Sequence, residues 1–165
     1  MALVNRVWRE ARYVPEGAEP GLFKGRPFRE NVQNGVVHEI AHVRFPYPSK
    51  EEPELKTYVN RPDHTVGVRT ASGDLLFPDI VVMNTANTEV EMLGEVETTE
   101  SLRADDVIDK WRAFNGVGPL YVFVPLSAAD RARSLVKSSG LHIKGLRAWR
   151  GNMGRRTVEV LDLLG

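Results

Sequence analysis

Cysteine is absent from the 165 residues, so disulfides, thiolate zinc clusters and thiol nucleophiles are excluded. Any metal site has to be built from carboxylates, histidines or backbone oxygens. Net charge is absent too: 22 Lys and Arg balance 22 Asp and Glu, which argues against indiscriminate adhesion to nucleic acid. Nor is there a run of the roughly 20 apolar residues that spans a bilayer. The first stretch, Met1 to Tyr13, carries Arg6, Arg9 and Arg12 where a signal peptide would have its apolar core. A cytoplasmic protein with no membrane partner is the expectation, and the length suits a single core.

What is present is an uneven distribution of charge. From Asp79 to Asp109 the acids Asp79, Glu89, Glu91, Glu95, Glu97, Glu100, Asp105, Asp106 and Asp109 are opposed only by Arg103. From Arg131 onward the bases Arg131, Arg133, Lys137, Lys144, Arg147, Arg150, Arg155 and Arg156 face only Glu159 and Asp162. Acids to hold a cation and bases to hold phosphates are what a nuclease needs, although solvated surfaces carry the same pattern.

Pro15, Gly17, Pro20, Gly21, Gly25 and Pro27 punctuate the first stretch, so residues 1–27 read as an irregular N-terminal arm and 28–165 as one α/β domain. The arm has little of its own to pack on, which suggests a homodimer. From Arg29, the stripe Val32, Val36, Ile40 and Val43 predicts a first helix that stops before Pro46 and Pro48. After a charged loop over Ser49 to Glu54, the segments Thr65 to Thr70, Leu75 to Met83 and Glu91 to Thr98 predict a three-stranded antiparallel meander. Pro78 inside the second of these cannot donate to a ladder and marks an edge, bulge or bend.

Thr99 is placed to cap a helix whose apolar face is Ala104, Val107, Ile108, Trp111 and Phe114, ending at Asn115-Gly116. Leu120 to Val124 is a continuous apolar run suited to a strand buried on both faces. A further helix over about Ala128 to Ser138 and a strand from Ile143 to Trp149 follow, with Thr157 to Leu163 able to close a hairpin. The order is helix, three strands, helix, strand, helix, then one or two strands, with a right-handed βαβ crossover expected.

Residues two apart on a strand share a face, so Glu95 and Glu97 project together on either side of Val96, and Asp79 lies on the preceding strand. If the register sets these strands side by side, the three carboxylates converge where Mg²⁺ or Mn²⁺ could bind through oxygen ligands. On spacing alone, acids lining the wet face of a half-exposed strand explain Glu95 and Glu97 as well.

The string Leu76-Phe77-Pro78-Asp79-Ile80-Val81-Val82, followed by Leu93-Gly94-Glu95-Val96-Glu97-Thr98, resembles the PD-(D/E)XK nuclease superfamily, the restriction-endonuclease-like proteins. In that family a Pro-Asp at a bent strand is followed on the next strand by an acid, any residue and a lysine, and an acid on the first helix often joins the site. Pro78-Asp79 matches the first half and Glu95 the second acid; Glu39 is the matching acid on the first helix. The resemblance covers roughly Val32 to Trp149. It implies an α/β fold with a central mixed sheet and flanking helices in the order α-β-β-β-α-β-α-β. It also implies Mg²⁺- or Mn²⁺-dependent hydrolysis of phosphodiester bonds in DNA, with Asp79, Glu95 and Glu97 at the metal and Glu39 assisting.

The departure is Glu97, which stands where the family's lysine is expected. A few restriction enzymes of the superfamily carry Glu-x-Glu and remain metal-dependent, and Glu97 would then serve as general base or as ligand to a second metal. Lys110 on the following helix could in principle reach back as a migrated lysine, but its helical position reads as solvated. Trp111 and Tyr121 read as core. The missing lysine also motivates a non-catalytic member that keeps the fold for nucleic-acid binding or assembly.

His38-Glu39-Ile40-Ala41-His42 spells H-E-x-x-H, the zinc metallopeptidase motif with two histidines one turn apart. Gly35 and Arg44 depart from its usual flanks, no Gly-x-x-His follows, and a third ligand would have to be a distant Glu, His64 or His142. About 100° per residue puts Glu39 at the rim of the Val32, Val36, Ile40, Val43 stripe and both histidines largely opposite.

Overall fold

The prolines at 46 and 48 and the apolar residues ahead of them produce a long first helix, α1, over Arg26–Arg44 in a computed structural model that describes residues 4–6, 26–152 and 157–165. The buried stripe of α1 is Val36, Val37, Ile40 and Ala41, continued by Phe45, while Val32 and Val43 are about half exposed. The adjacent pair Val36-Val37 decides this. Both are buried, which turns the packed face by roughly 70° from the expected stripe at 100° per residue.

Eight further elements complete the main body: β2 (Leu55–Val59), β5 (Ile80–Asn84), β6 (Glu89–Val96), α2 (Val107–Asn115), β7 (Leu120–Pro125), α3 (Ala129–Ser139), β8 (Gly145–Asn152) and β9 (Thr157–Leu164). Its six strands form one mixed sheet in the order β2-β5-β6-β7-β8-β9. The pairs β6-β7 and β7-β8 are parallel, as their helical crossovers α2 and α3 require, and the remaining pairs are antiparallel. The chain is thus a mixed α/β structure with three helices among the described residues, and β8 and β9 make the expected closing hairpin.

The expected meander is corrected in one respect. Thr65 to Thr70 contributes β3 (Val66–Arg69), which pairs with β1 (Val4–Arg6) and β4 (Leu75–Leu76) in a separate three-stranded sheet. The segment Leu75 to Met83 is broken at Phe77-Pro78, so its first half joins the small sheet as β4 and its second half the large one as β5. The place beside β5 is taken by β2, which lies between the stretches read from sequence. The small sheet also draws a strand, β1, from the stretch read as an irregular arm. The rest of that arm, up to residue 25, lies outside the described residues.

Apolar side chains fill both faces of the large sheet. On one face Ile80, Val82, Val96 and Phe123 meet the buried stripe of α1. On the other, Val81, Met83, Leu93, Val122, Val124 and Leu146 meet Val107, Trp111 and Phe114 of α2 and Ala132 of α3. Full burial of an aliphatic side chain stabilises by about 1.5–3 kcal/mol, so these two layers dominate the stability of the sheet. Gly94 of β6 lets the α1 side close up: a Cβ there would stand 3.1 Å from Ile80 and 3.3 Å from Phe45. Among the described residues no helix is long and apolar enough to cross a membrane.

Candidate functional site

The alternation of β5 and β6 sends Ile80 and Val96 toward α1, and therefore Asp79, Glu95 and Glu97 toward α2. Ile80 lies across from Gly94, which sets Asp79 against Glu95. The Asp79 backbone N–H donates to Glu95 Oε2 at 3.1 Å, and the Val96 N–H donates to Asp79 Oδ2 at 2.9 Å. All three acids are buried, at 2%, 5% and 1% relative exposure for Asp79, Glu95 and Glu97. The expected convergence of the three carboxylates is therefore present, inside the protein and not on a wet strand face.

Buried carboxylates demand partners, and two cations supply them. Arg61 Nε lies 2.6 Å from Asp79 Oδ1. Lys110 Nζ lies 3.0 Å from Glu95 Oε1 and 2.6 Å from Glu97 Oε1. The solvated reading of Lys110 is thereby corrected: the side chain leaves α2 and turns back to the sheet. Sequence spacing carried a faint signal of this, because Lys110 is next to the buried Trp111 and a four-carbon stem can run along apolar surface to a distant anion.

Glu97 is held on every side. The Trp111 indole N–H donates to Oε1 at 2.7 Å, and the Ser101 hydroxyl donates to Oε2. Trp111 is core, as expected, but its polar edge has this additional task. Ser101 is fixed in turn by Thr98, whose N–H donates to Ser101 Oγ at 2.9 Å while the Ser101 N–H donates to Thr98 Oγ1 at 3.0 Å. Thr98, not Thr99, thus organises the turn, a short 3₁₀ segment over Ser101–Arg103 that precedes α2.

Arg61 is positioned by Asn60, a residue that no motif singles out. The buried Asn60 side chain donates to Val66 O at 2.8 Å and Pro78 O at 2.7 Å. Its Oδ1 accepts from the Thr65 N–H at 2.6 Å and the Val66 N–H at 2.8 Å. With all four of its hydrogen-bonding positions used, Asn60 ties the loop carrying Arg61 to the bend at Pro78.

Among the described residues, three carboxylates face two cations, so one negative charge is in excess. The consequence falls on Glu95. Burial pushes its carboxyl up to about 8, Asp79 adds to the rise, Lys110 opposes it and Glu97 adds again. For Lys110, burial acts to lower the pKa, but Glu95 and then Glu97 outweigh it and the net movement is upward.

As hard oxygen donors, Asp79 and Glu95 suit a cation such as Mg²⁺ or Mn²⁺. Each of their four oxygens receives one hydrogen bond and keeps a lone pair, whereas Glu97 Oε1 already receives two. Among the described residues, no group of three or more His, Asp or Glu is arranged to hold a metal ion.

Glu39 does not join this cluster. The turned stripe of α1 carries Glu39 away from the sheet instead of to its rim, and α1 covers the opposite face. No hydrogen bond or ion pair among the described residues links Glu39 to the three acids. His38 comes closer, its Nε2 2.9 Å from the backbone oxygen of Arg61. His42 is exposed, and no third ligand joins the two histidines among the described residues. Comparison with protein-family models, with curated proteins and with solved structures gave no significant match.

Proposed function

We propose that the chain is a metal-dependent nuclease of the restriction-endonuclease-like type, hydrolysing phosphodiester bonds in DNA. The observation that carries this reading is the meeting of Asp79, Glu95 and Lys110. Two acids on adjacent strands after a proline-marked bend, with a lysine ammonium 3.0 Å from the second, reproduce the acid, acid and lysine of the PD-(D/E)XK pattern, with the lysine drawn from α2. The order of helices and strands around the mixed sheet supports the same assignment.

In this reading Asp79 and Glu95 would hold Mg²⁺ or Mn²⁺, which would supply Lewis acidity at the site. The chain does the rest. Burial of Glu95 and the unbalanced charge make the pair receptive to a cation, since two close carboxylates without enough positive charge repel. Lys110 has three N–H donors, two engaged by Glu95 and Glu97, and places a positive charge beside the phosphate. Arg61 orients Asp79 and adds a second positive charge at the edge of the site.

The test is cutting of DNA by the purified chain with Mg²⁺ or Mn²⁺. Asp79→Ala and Lys110→Met are expected to lower the rate by about 100-fold or more. A chain that cuts neither DNA nor RNA, or an Asp79→Ala variant as active as the parent, would overturn the proposal. A second reading, a nuclease-fold protein that binds nucleic acid without cutting it, is favoured by one observation: Arg61 and Lys110 already pair with the acids. Salt-sensitive DNA binding that survives both chelator and Glu95→Ala would select it.

A further inference from the structure

We propose that Glu97 is a positioning residue for Lys110, a buried anion that holds the lysine ammonium beside Glu95. The geometry supports this at each link. Glu97 is 1% exposed, and its two oxygens are fixed from different elements, Oε2 by Ser101 on the 3₁₀ turn and Oε1 by Trp111 on α2. Lys110 and Trp111 are neighbours on α2 and both donate to the same oxygen, Oε1. The contact to Glu97 is the shorter of the two that Lys110 makes, 2.6 Å against 3.0 Å to Glu95.

Confining a long lysine side chain costs rotamer entropy. A single exposed acid rarely offsets that, but a buried carboxylate that is already immobilised does. The glutamate in the strand position therefore has a definite part: it fixes a lysine that comes from another element. Ser101 and Trp111 support it by keeping the carboxylate from rotating.

The positioning role is independent of any metal, while its catalytic consequence rests on the nuclease reading. Two measurements keep these apart. In the metal-free chain, nitrogen-15 NMR of lysine ammonium groups, with Lys110→Met identifying the signal, should show slow solvent exchange for Lys110. Glu97→Gln should speed this exchange by about tenfold or more, the loss of one charge-assisted hydrogen bond. Ser101→Ala, which leaves both charges in place, should have a smaller effect in the same direction, and it decides the question alone should Glu97→Gln fail to fold. Lys110 exchange as slow in these variants as in the parent would overturn the proposal.

In the cutting assay, Glu97→Gln should lower kcat by about 100-fold while the Mg²⁺ concentration for half-maximal rate stays within about twofold. A shift of that midpoint with kcat preserved would instead make Glu97 a metal ligand and refute the positioning role. If the parent cuts nothing, the nuclease reading fails while the exchange measurement still decides the role of Glu97.

Discussion

Glu95 should make the metal-free protein less stable as pH rises through neutrality, the reverse of an ordinary carboxylate. Its folded pKa, about 8, lies above the ordinary value of 4.5, so between these values the folded chain holds a proton that the unfolded chain has released. Stability from this group is fully present below the unfolded value and is lost as pH rises toward the folded one, at up to about 1.4 kcal/mol per pH unit. From about pH 6 to about pH 8, a group titrating at 8 loses about 2 kcal/mol, and well above that pH the loss stops. The physical origin is burial first and the neighbouring Asp79 second, which act against ionisation more strongly than Lys110 favours it.

Glu95→Gln mimics the protonated acid and removes this titration. Urea unfolding followed by tryptophan fluorescence, in buffers with chelator, should give a stability difference between variant and parent that grows by about 2 kcal/mol in favour of the variant over that window. Taking the difference cancels contributions common to both chains. A difference that stays constant with pH would refute the reasoning. On the proposed nuclease reading, Mg²⁺ added to the parent should restore more stability at the alkaline end than at the acid end, because there the acid is already ionised.

Asn60→Ala removes the side-chain bond that ties the Arg61 loop to Pro78 and the three that close the loop on Thr65 and Val66, and should cost about 2–3 kcal/mol in urea unfolding. If the variant is as stable as the parent, the loop is held by something else. Gly94→Ala forces a Cβ to within 3.1 Å of Ile80, and a loss of about 1–3 kcal/mol is expected from the same measurement. Trp111→Phe keeps the ring volume near the core but removes the donor to Glu97. A loss of about 1–2 kcal/mol is expected, and an unchanged midpoint would show that the indole bond contributes nothing.

Several local features were fully written in the sequence. The apolar run Leu120 to Val124 became a strand buried between two neighbours, and the face Val107, Trp111, Phe114 became the packed side of α2. Pro78 marked the bend, and the one-residue spacer between Glu95 and Glu97 put both acids on one face. These depend on period and backbone chemistry, which are properties of a few consecutive residues. The strand Leu55–Val59 was harder to see, since the exposed Lys56 and part-exposed Thr57 interrupt its buried residues and it follows a charged loop.

What the tertiary structure decided is where long side chains end and which face a helix turns inward. Lys110 could be placed on α2 from sequence, but its ammonium sits several bonds from the backbone, and only the packing of α2 on the sheet brings it to Glu95 and Glu97. Arg61 reaches Asp79 because Asn60 closes its loop against a residue 18 positions away, a contact that no local period encodes. The stripe of α1 turned because two adjacent valines were both wanted by the core, and Glu39 turned with it. The sequence determined a sheet strand bearing paired acids beside a Pro-Asp bend; the fold decided which charges surround them, because electrostatic partners are set by distance in space.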